Sequence, residues 1–465
     1  MIEVTLYRGK KVAVFGLARS GLSAAKSLIG GGAEVLAWDD DEKNRNIASG
    51  ENIPLVDLNS VDWKNISALV LSPGIPHTFP TPHPIVIAAR GANVKIISDI
   101  YLLMHTQTKA KYIGITGTNG KSTTTSLIAH ILKQAGENVQ VGGNLGQAAL
   151  TLEPVGDGGY YVLELSSYQL ELMPDCKLHA AVHLNLTPDH LDRHGDMDGY
   201  LNAKKNIFAN QQKSDAAIIG IDDAPSKKMF DEISARNLQK TFALSVGQKV
   251  ERGAYVADGI LYDAMPSRTE KIMDLRDAAA LPGEHNWQNA AAAYMITKFL
   301  NVPRGTICEL IANFPGLAHR QQKIATIDGI AFINDSKATN PEAAAKALAC
   351  YKPIYWIAGG KPKGEDLDAC APFYRNIQQA FLIGQAAEMF GKILSPHMPY
   401  KISGTLEQAI ADAAAQAKQD GMYNPVVLLS PACASFDQFR DFEHRGEVFC
   451  KTVLELEQIN KRKTA

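Results

Sequence analysis

The sequence predicts an α/β protein whose parallel sheets, covered by helices, are divided over three domains. Three observations lead there. Short apolar runs of β type alternate with helical stretches along the whole chain, the pattern of parallel strands joined by helical crossovers. At 465 residues the chain is too long for one hydrophobic core. Two breaker clusters, SPGIPHTFPTPHP at 72–84 and Phe314-Pro315-Gly316, interrupt it where neither helix nor central strand can run. The predicted domains are 1–97, 98–316 and 317–465.

The strands expected in order are KVAVFG (11–16), EVLAWDD (34–40), ALVLSPG (68–74), KYIGITG (111–117), YYVLELS (160–166), AAVHLNL (180–186), IYWIAGG (354–360) and VVLLSPA (426–432). The apolar share of 46% and charged share of 21% are those of an ordinary water-soluble globular chain. A net charge of −2 lacks the basic surplus of a nucleic-acid partner, so none is expected. The six cysteines form no C-x-x-C pair, which argues against a disulfide framework or structural zinc. With no apolar run long enough for a bilayer and no leader-like start at Met1, a cytoplasmic protein without membrane contact is expected.

In the first segment, strand KVAVFG runs into Gly16-Leu17-Ala18-Arg19-Ser20-Gly21 and a helical stretch, and a second strand ends in Asp39-Asp40. This reads as a βαβ nucleotide fingerprint whose helix start offers bare N–H groups to a phosphate. Ala18 stands where the second glycine belongs, which leaves open a dinucleotide, another diphosphate ligand or a packing turn.

GITGTNGKST (114–123) is a strand feeding a turn of small residues and a Ser/Thr-rich helix start. The usual phosphate loop, G-x-x-x-x-G-K-[ST], would need glycine where Ile115 stands. The loop is therefore a variant. Its backbone N–H groups, from Gly117, Thr118, Asn119, Gly120 and Thr123, can ring a polyphosphate; Lys121 neutralises the β and γ oxygens, and Ser122 reaches Mg²⁺.

GTNGKST resembles the ATP loop of the Mur ligases and the related folylpolyglutamate synthetases, and further motifs of that family follow in order over nearly the whole chain. The resemblance implies a Rossmann-like N-terminal domain, a central P-loop-type ATPase domain and a Rossmann-like C-terminal domain. It also implies two Mg²⁺ sites. Glu164 in ELSSYQLE and His190 in TPDHLDRH would be metal ligands, and Lys204 in YLNAKK would be carbamylated by CO₂ to supply an anionic oxygen. By the residues alone, His190 and His194 could be a pair at helical spacing, and Lys204 or Lys205 a surface lysine. Lys121, His190 and Lys204 are the residues expected to carry the chemistry.

By the same resemblance, Asn289 in GEHNWQN, Arg320 in GLAHRQQ and Asp335 in NDSKATNP contact ATP. Arg19, Ser20, Asp39, Asp40, Ser72, Gly74 and Asn144 border a UDP-sugar substrate. The last third, with SPACASFDQFRDFEHRGEVF, resembles the D-glutamate-adding branch of the family. Thr339, Lys363, Ser435 and Phe442 would then hold D-glutamate. Lys361-Pro362 departs from the family pattern and makes Lys361 a competitor for Lys363. The implied reaction is ATP-dependent ligation of D-glutamate to UDP-N-acetylmuramoyl-L-alanine by a monomer, through an acyl phosphate. A ligase with another acceptor, or a nucleotide-dependent switch or binding protein, are the alternatives.

Overall fold

The computed structural model describes residues 1–362, 364 and 366–464, with 459–464 by backbone alone. Three sheets form among the described residues. The first contains β1 (Lys11–Phe15), β2 (Glu34–Trp38), β3 (Ala68–Leu71) and β4 (Lys95–Ile97), all parallel, in the order β2-β1-β3-β4. Because β2 and β3 lie on opposite sides of β1, the chain reverses its winding at the carboxyl end of β1, where open sheets bind ligands. Helix Arg19–Gly30 buries Gly21, Ala24, Ala25 and Leu28 against this sheet. A Cβ on Gly21 would lie 1.7 Å from the Gly16 carbonyl oxygen, so only glycine lets helix and strand close here.

The second sheet contains β5 (Lys111–Thr116), β6 (Val139–Gly143), β7 (Tyr160–Glu164), β8 (Ala180–His183), β9 (Ala216–Gly220), β10 (Lys240–Val246), β11 (Gly253–Ala257), β12 (Ile260–Met265) and β13 (Arg268–Asp274), in the order β13-β12-β11-β10-β9-β8-β5-β7-β6. From β6 to β11 it is parallel; β12 and β13 add an antiparallel edge. β5 lies between β7 and β8, so the ends of those three strands converge on the loop that follows β5.

The third sheet contains β14 (Gln322–Ile327), β15 (Ile330–Asn334), β16 (Ile354–Gly359), β17 (Ile377–Ile383), β18 (Tyr400–Gly404) and β19 (Val426–Leu429), in the order β14-β15-β19-β16-β17-β18. Every residue of β16 and β19 is buried, as expected for central parallel strands covered on both faces. Only β14 is antiparallel.

The chain folds into two compact units. One is Met1–Asp277 with Asn286–Ala312 and holds the first two sheets; the other is Ala278–His285 with Asn313–Ala465 and holds the third. A shared apolar core joins the first two sheets, running from Val12, Val14 and Leu28 through Tyr101 and Leu150 to Tyr161 and Leu163. Residue 97 ends β4, the last strand of the first sheet.

Candidate active site

Inside the first unit, a cavity of about 700 Å³ lies between the carboxyl ends of the first sheet and those of the second. Lys121, from the helix start that follows the loop after β5, lines it. Gly120, at φ 85, caps the helix Lys121–Gln134, and a Cβ there would come within 2.3 Å of Asn289 Oδ1. The loop is also braced from β8. Asn185 accepts the Asn119 N–H on its side chain at 2.9 Å, and its carbonyl accepts the Thr118 N–H at 2.9 Å. Lys121 curls back and donates to the carbonyls of Gly117 and Thr118, both at 2.9 Å. Ser122 is buried beside it and Thr123 is half-buried.

The helix Met197–Lys205, capped by Asp196 accepting from the Gly199 N–H, carries Lys204 under the same loop. Lys204 is 1% exposed. Its amine donates to Gly117 O at 3.0 Å and lies 3.5 Å from Thr116 Oγ1 and 4.5 Å from the centre of the Tyr200 ring. One carbonyl thus takes both lysine amines. Burial first, and then the nearby Lys121 charge, push the Lys204 amine far below the usual lysine range. The neighbouring Lys205 is paired with Glu232 at 2.9 Å.

Glu164 ends β7 and is 3% exposed. Its Oε1 accepts from Asn144 Nδ2 at 2.7 Å, whereas Oε2 is buried without a protein partner. An orphaned carboxylate oxygen beside a phosphate-type loop fits a hard cation. Among the described residues no group of three or more His, Cys, Asp or Glu side chains could hold a metal alone.

His190 lines the cavity in a left-handed turn, φ 54, with its side chain 46% exposed and 3.5 Å from Asp189. His194 points elsewhere: its Nε2 meets Ser167 Oγ at 2.9 Å, and burial together with Arg193 lowers its pKa to about 4. The two histidines therefore do not act as a chelating pair.

The first sheet supplies the opposite wall. Asp39 is buried and accepts from the N–H of Leu17 at 2.5 Å, from that of Asp41 at 2.8 Å and from Asn44 Nδ2 at 3.1 Å, fixing the Gly16–Ser20 turn from below. Ser72 donates to Gly16 O at 2.8 Å across the switch point. Arg19, Ser20 and Gly74 line the cavity, and Arg19 also reaches Gly146 O at 2.5 Å. Asp40 turns outward to His83 at 3.0 Å with its side chain 68% exposed. Asn289 lies behind the phosphate loop, accepting from Thr124 at 3.1 Å.

In the second unit, the other sequence-predicted residues lie near the ends of the adjacent strands β15, β19 and β16. Asp335 accepts from the Gln321 N–H at 3.1 Å and from Ser430 Oγ at 2.8 Å, and its burial raises the carboxyl to about 7; Arg320 acts on it electrostatically. Thr339 is half-buried and Ser435 buried. Phe442 lies under the Lys337 amine, 3.5 Å from the ring centre, and its carbonyl accepts from Ser336. Lys361 is bridged through its backbone to Ala434, next to Ser435. Lys363 lies outside the described residues.

Sequence reasoning passed over Asn185, Arg193, Tyr200 and Arg445. Arg445 is fully buried and ties Ser336 to the Cys433 carbonyl, joining the β15 and β19 loops. The missed sequence signal was the charge itself, an arginine within FEHRGEVF three residues before the apolar Val448-Phe449-Cys450.

The Mur ligase middle domain matches residues 115–297, and the Mur ligase, glutamate ligase domain matches residues 319–433. A Caulobacter sp. protein named "UDP-N-acetylmuramoylalanine--D-glutamate ligase" is 50% identical over 459 residues, covering 97% of this chain and 98% of its own. The chain belongs to the Mur ligase family. A Rhodospirillum rubrum relative of the same name is 48% identical, covering 98% of this Mur ligase and 97% of its own chain. Among solved structures, MurF from Acinetobacter baumannii superposes with a TM-score of 0.57 at 20% identity, covering 76% of this chain and 79% of its own. UDP-N-acetylmuramate-alanine ligase MurC from Thermotoga maritima gives 0.54 at 17% identity, covering 96% and 99%. These likenesses place this Mur ligase in the family's fold.

Proposed function

We propose that the protein is the ATP-dependent ligase that joins D-glutamate to UDP-N-acetylmuramoyl-L-alanine in peptidoglycan precursor synthesis. The relatives of that name, about half identical over nearly the whole chain, support the substrate pair. The observation that carries the chemistry is the pairing of the cavity-lining Lys121 and Lys204 on the Gly117 carbonyl, with a buried, unpartnered oxygen on Glu164, whose other oxygen is held by the cavity-lining Asn144.

In this reading a carboxylate oxygen of the L-alanyl group attacks the γ-phosphorus of ATP, and ADP leaves. The D-glutamate amine then attacks the acyl carbon, loses a proton, and phosphate departs as the amide forms. The backbone N–H groups of the 117–123 turn and Lys121 hold the polyphosphate. Arg19 and Ser20 meet the diphosphate of the UDP group, with Asp39 bracing their turn, while Ser72, Gly74 and Asn144 border its sugar. Asp40 lies at the rim. Asn289, Arg320 and Asp335 act on the nucleotide, Asn289 from behind the loop. Thr339, Ser435, Phe442 and Lys363, or Lys361 in its place, take D-glutamate.

Two bound Mg²⁺ ions would neutralise charge on the transferring phosphoryl group, held by Ser122, Glu164, His190 and a Lys204 carbamate. Carbamylation needs an unprotonated amine, and the depressed basicity of Lys204 meets that requirement. Among the described residues no helix is long and apolar enough to cross a membrane, and the reading is of a cytoplasmic monomer. Phosphate release measured with ATP, the UDP substrate and each of D-glutamate, L-glutamate and D-aspartate tests the assignment. Release is expected with D-glutamate and strongly reduced with the others; equal release with ATP alone would exclude a ligase.

A further inference from the structure

The loop 72–84 borders the cavity and contains prolines 73, 76, 80, 82 and 84, which have no N–H to donate. Such a loop presents more carbonyl acceptors than it has backbone donors to satisfy. The structure answers it with one side chain from the second sheet's side. Arg193 Nη1 donates to Phe79 O at 2.8 Å, and Nη2 reaches Ile75 O at 3.2 Å and Pro73 O at 3.5 Å. The guanidinium also lies over Tyr168, 4.9 Å from the ring centre, on the cavity wall. His77, from the same loop, is buried with its Nε2 3.8 Å from Glu171 Oε2, the oxygen that His194 Nδ1 also approaches at 3.8 Å.

Arg193 lies three residues after His190, in the short helix Leu191–His194 that His190 caps. One short turn therefore has the cavity-lining histidine at one end and the hold on the loop at the other. We infer that Arg193 is a positioning residue that locks the 72–84 loop to the phosphate-binding half of the cavity and so sets affinity for the UDP-linked substrate. This rests on the functional reading above for the identity of that substrate. A lysine cannot replace it, because a point charge does not span three carbonyls as the planar five-donor fork does.

The test uses the full chain with Arg193→Ala and Arg193→Lys. Charge-assisted hydrogen bonds of this kind predict a KM for UDP-N-acetylmuramoyl-L-alanine raised about 10- to 100-fold in both variants. The KM values for ATP and D-glutamate should change less than about twofold on the same argument, since neither ligand touches the clamp. Added guanidinium at millimolar concentration should restore part of the loss in the alanine variant and none in the lysine variant. Amide hydrogen exchange, run in parallel, should rise in 74–83 and stay unchanged in 117–123. An equal rise in all three KM values, or exchange unchanged in 74–83, would overturn the inference. The exchange measurement decides the clamp even if the wild-type chain fails to turn over these substrates, a result that would instead sink the functional reading.

Discussion

Replacing Lys204 by methionine tests its proposed role in the reaction apart from its role in the fold. The side chain is 1% exposed, so its four methylenes are packed while its amine is stripped of water. Methionine keeps most of that apolar length and removes the amine, a nearly volume-conserving change expected to alter stability by less than about 1.5 kcal/mol. Alanine instead deletes three methylenes, at about 0.8 kcal/mol each, for a loss of about 2–3 kcal/mol. The pH dependence has a definite sign. Folding holds this amine below its usual pKa, so the native state binds fewer protons than the unfolded chain, and wild-type stability falls as the pH drops below the ordinary lysine range. The methionine variant lacks that loss and should match or exceed the wild type at neutral pH. Turnover should move the other way. Removing one preorganised charged group from such a site costs about 10²–10³ in kcat. Phosphate release and thermal melting on the same samples give both numbers. Short carboxylic acids should partly rescue the alanine variant, where they can enter the space vacated. Depleting CO₂ should slow the wild type reversibly. Wild-type rates in Lys204→Met would refute the argument, because the buried amine would then have no part in the chemistry.

Two more substitutions probe the loops. Gly120→Ala sets a Cβ 2.3 Å from Asn289 Oδ1 at a φ of 85, so nucleotide binding should weaken at least about tenfold, with a melting point lowered by several degrees, read by nucleotide titration and calorimetry. Asp335 holds its proton up to about 7 when folded and only to the ordinary aspartate range when unfolded, so its contribution to stability is lost as pH rises through that interval. Asp335→Asn should therefore stabilise the chain more at pH 8 than at pH 5, on the order of 2 kcal/mol, while activity falls; equal melting shifts at both values would count against a buried carboxyl.

Much of the architecture was legible because parallel strands buried on both faces read as continuous apolar runs, as IYWIAG does in β16. The antiparallel edges were not read, although their signals are present. Asp258-Gly259 and Asp328-Gly329 both adopt positive φ between paired strands, the Asp-Gly hairpin turn that joins β11 to β12 and β14 to β15. The strand, turn and helix start of 111–134 were legible through local spacing, since all their parts are consecutive. What spacing could not convey is contact over long separations. Asn185 braces a loop 66 residues away, and Arg193 holds carbonyls 114 to 120 residues away. Nor does sequence reveal which of two adjacent acids turns inward. Asp39 faces the turn and Asp40 the solvent because side chains alternate along the extended end of β2.

In the proposed reaction a carboxylate of the UDP-linked substrate becomes an acyl phosphate before the amide forms. This step is tested most directly by placing heavy oxygen in that carboxylate and following the label through a single turnover with ATP and D-glutamate. Transfer through an acyl phosphate predicts one labelled oxygen in the released phosphate and the other in the product amide. Unlabelled phosphate, with the amide formed at the normal rate, would contradict it.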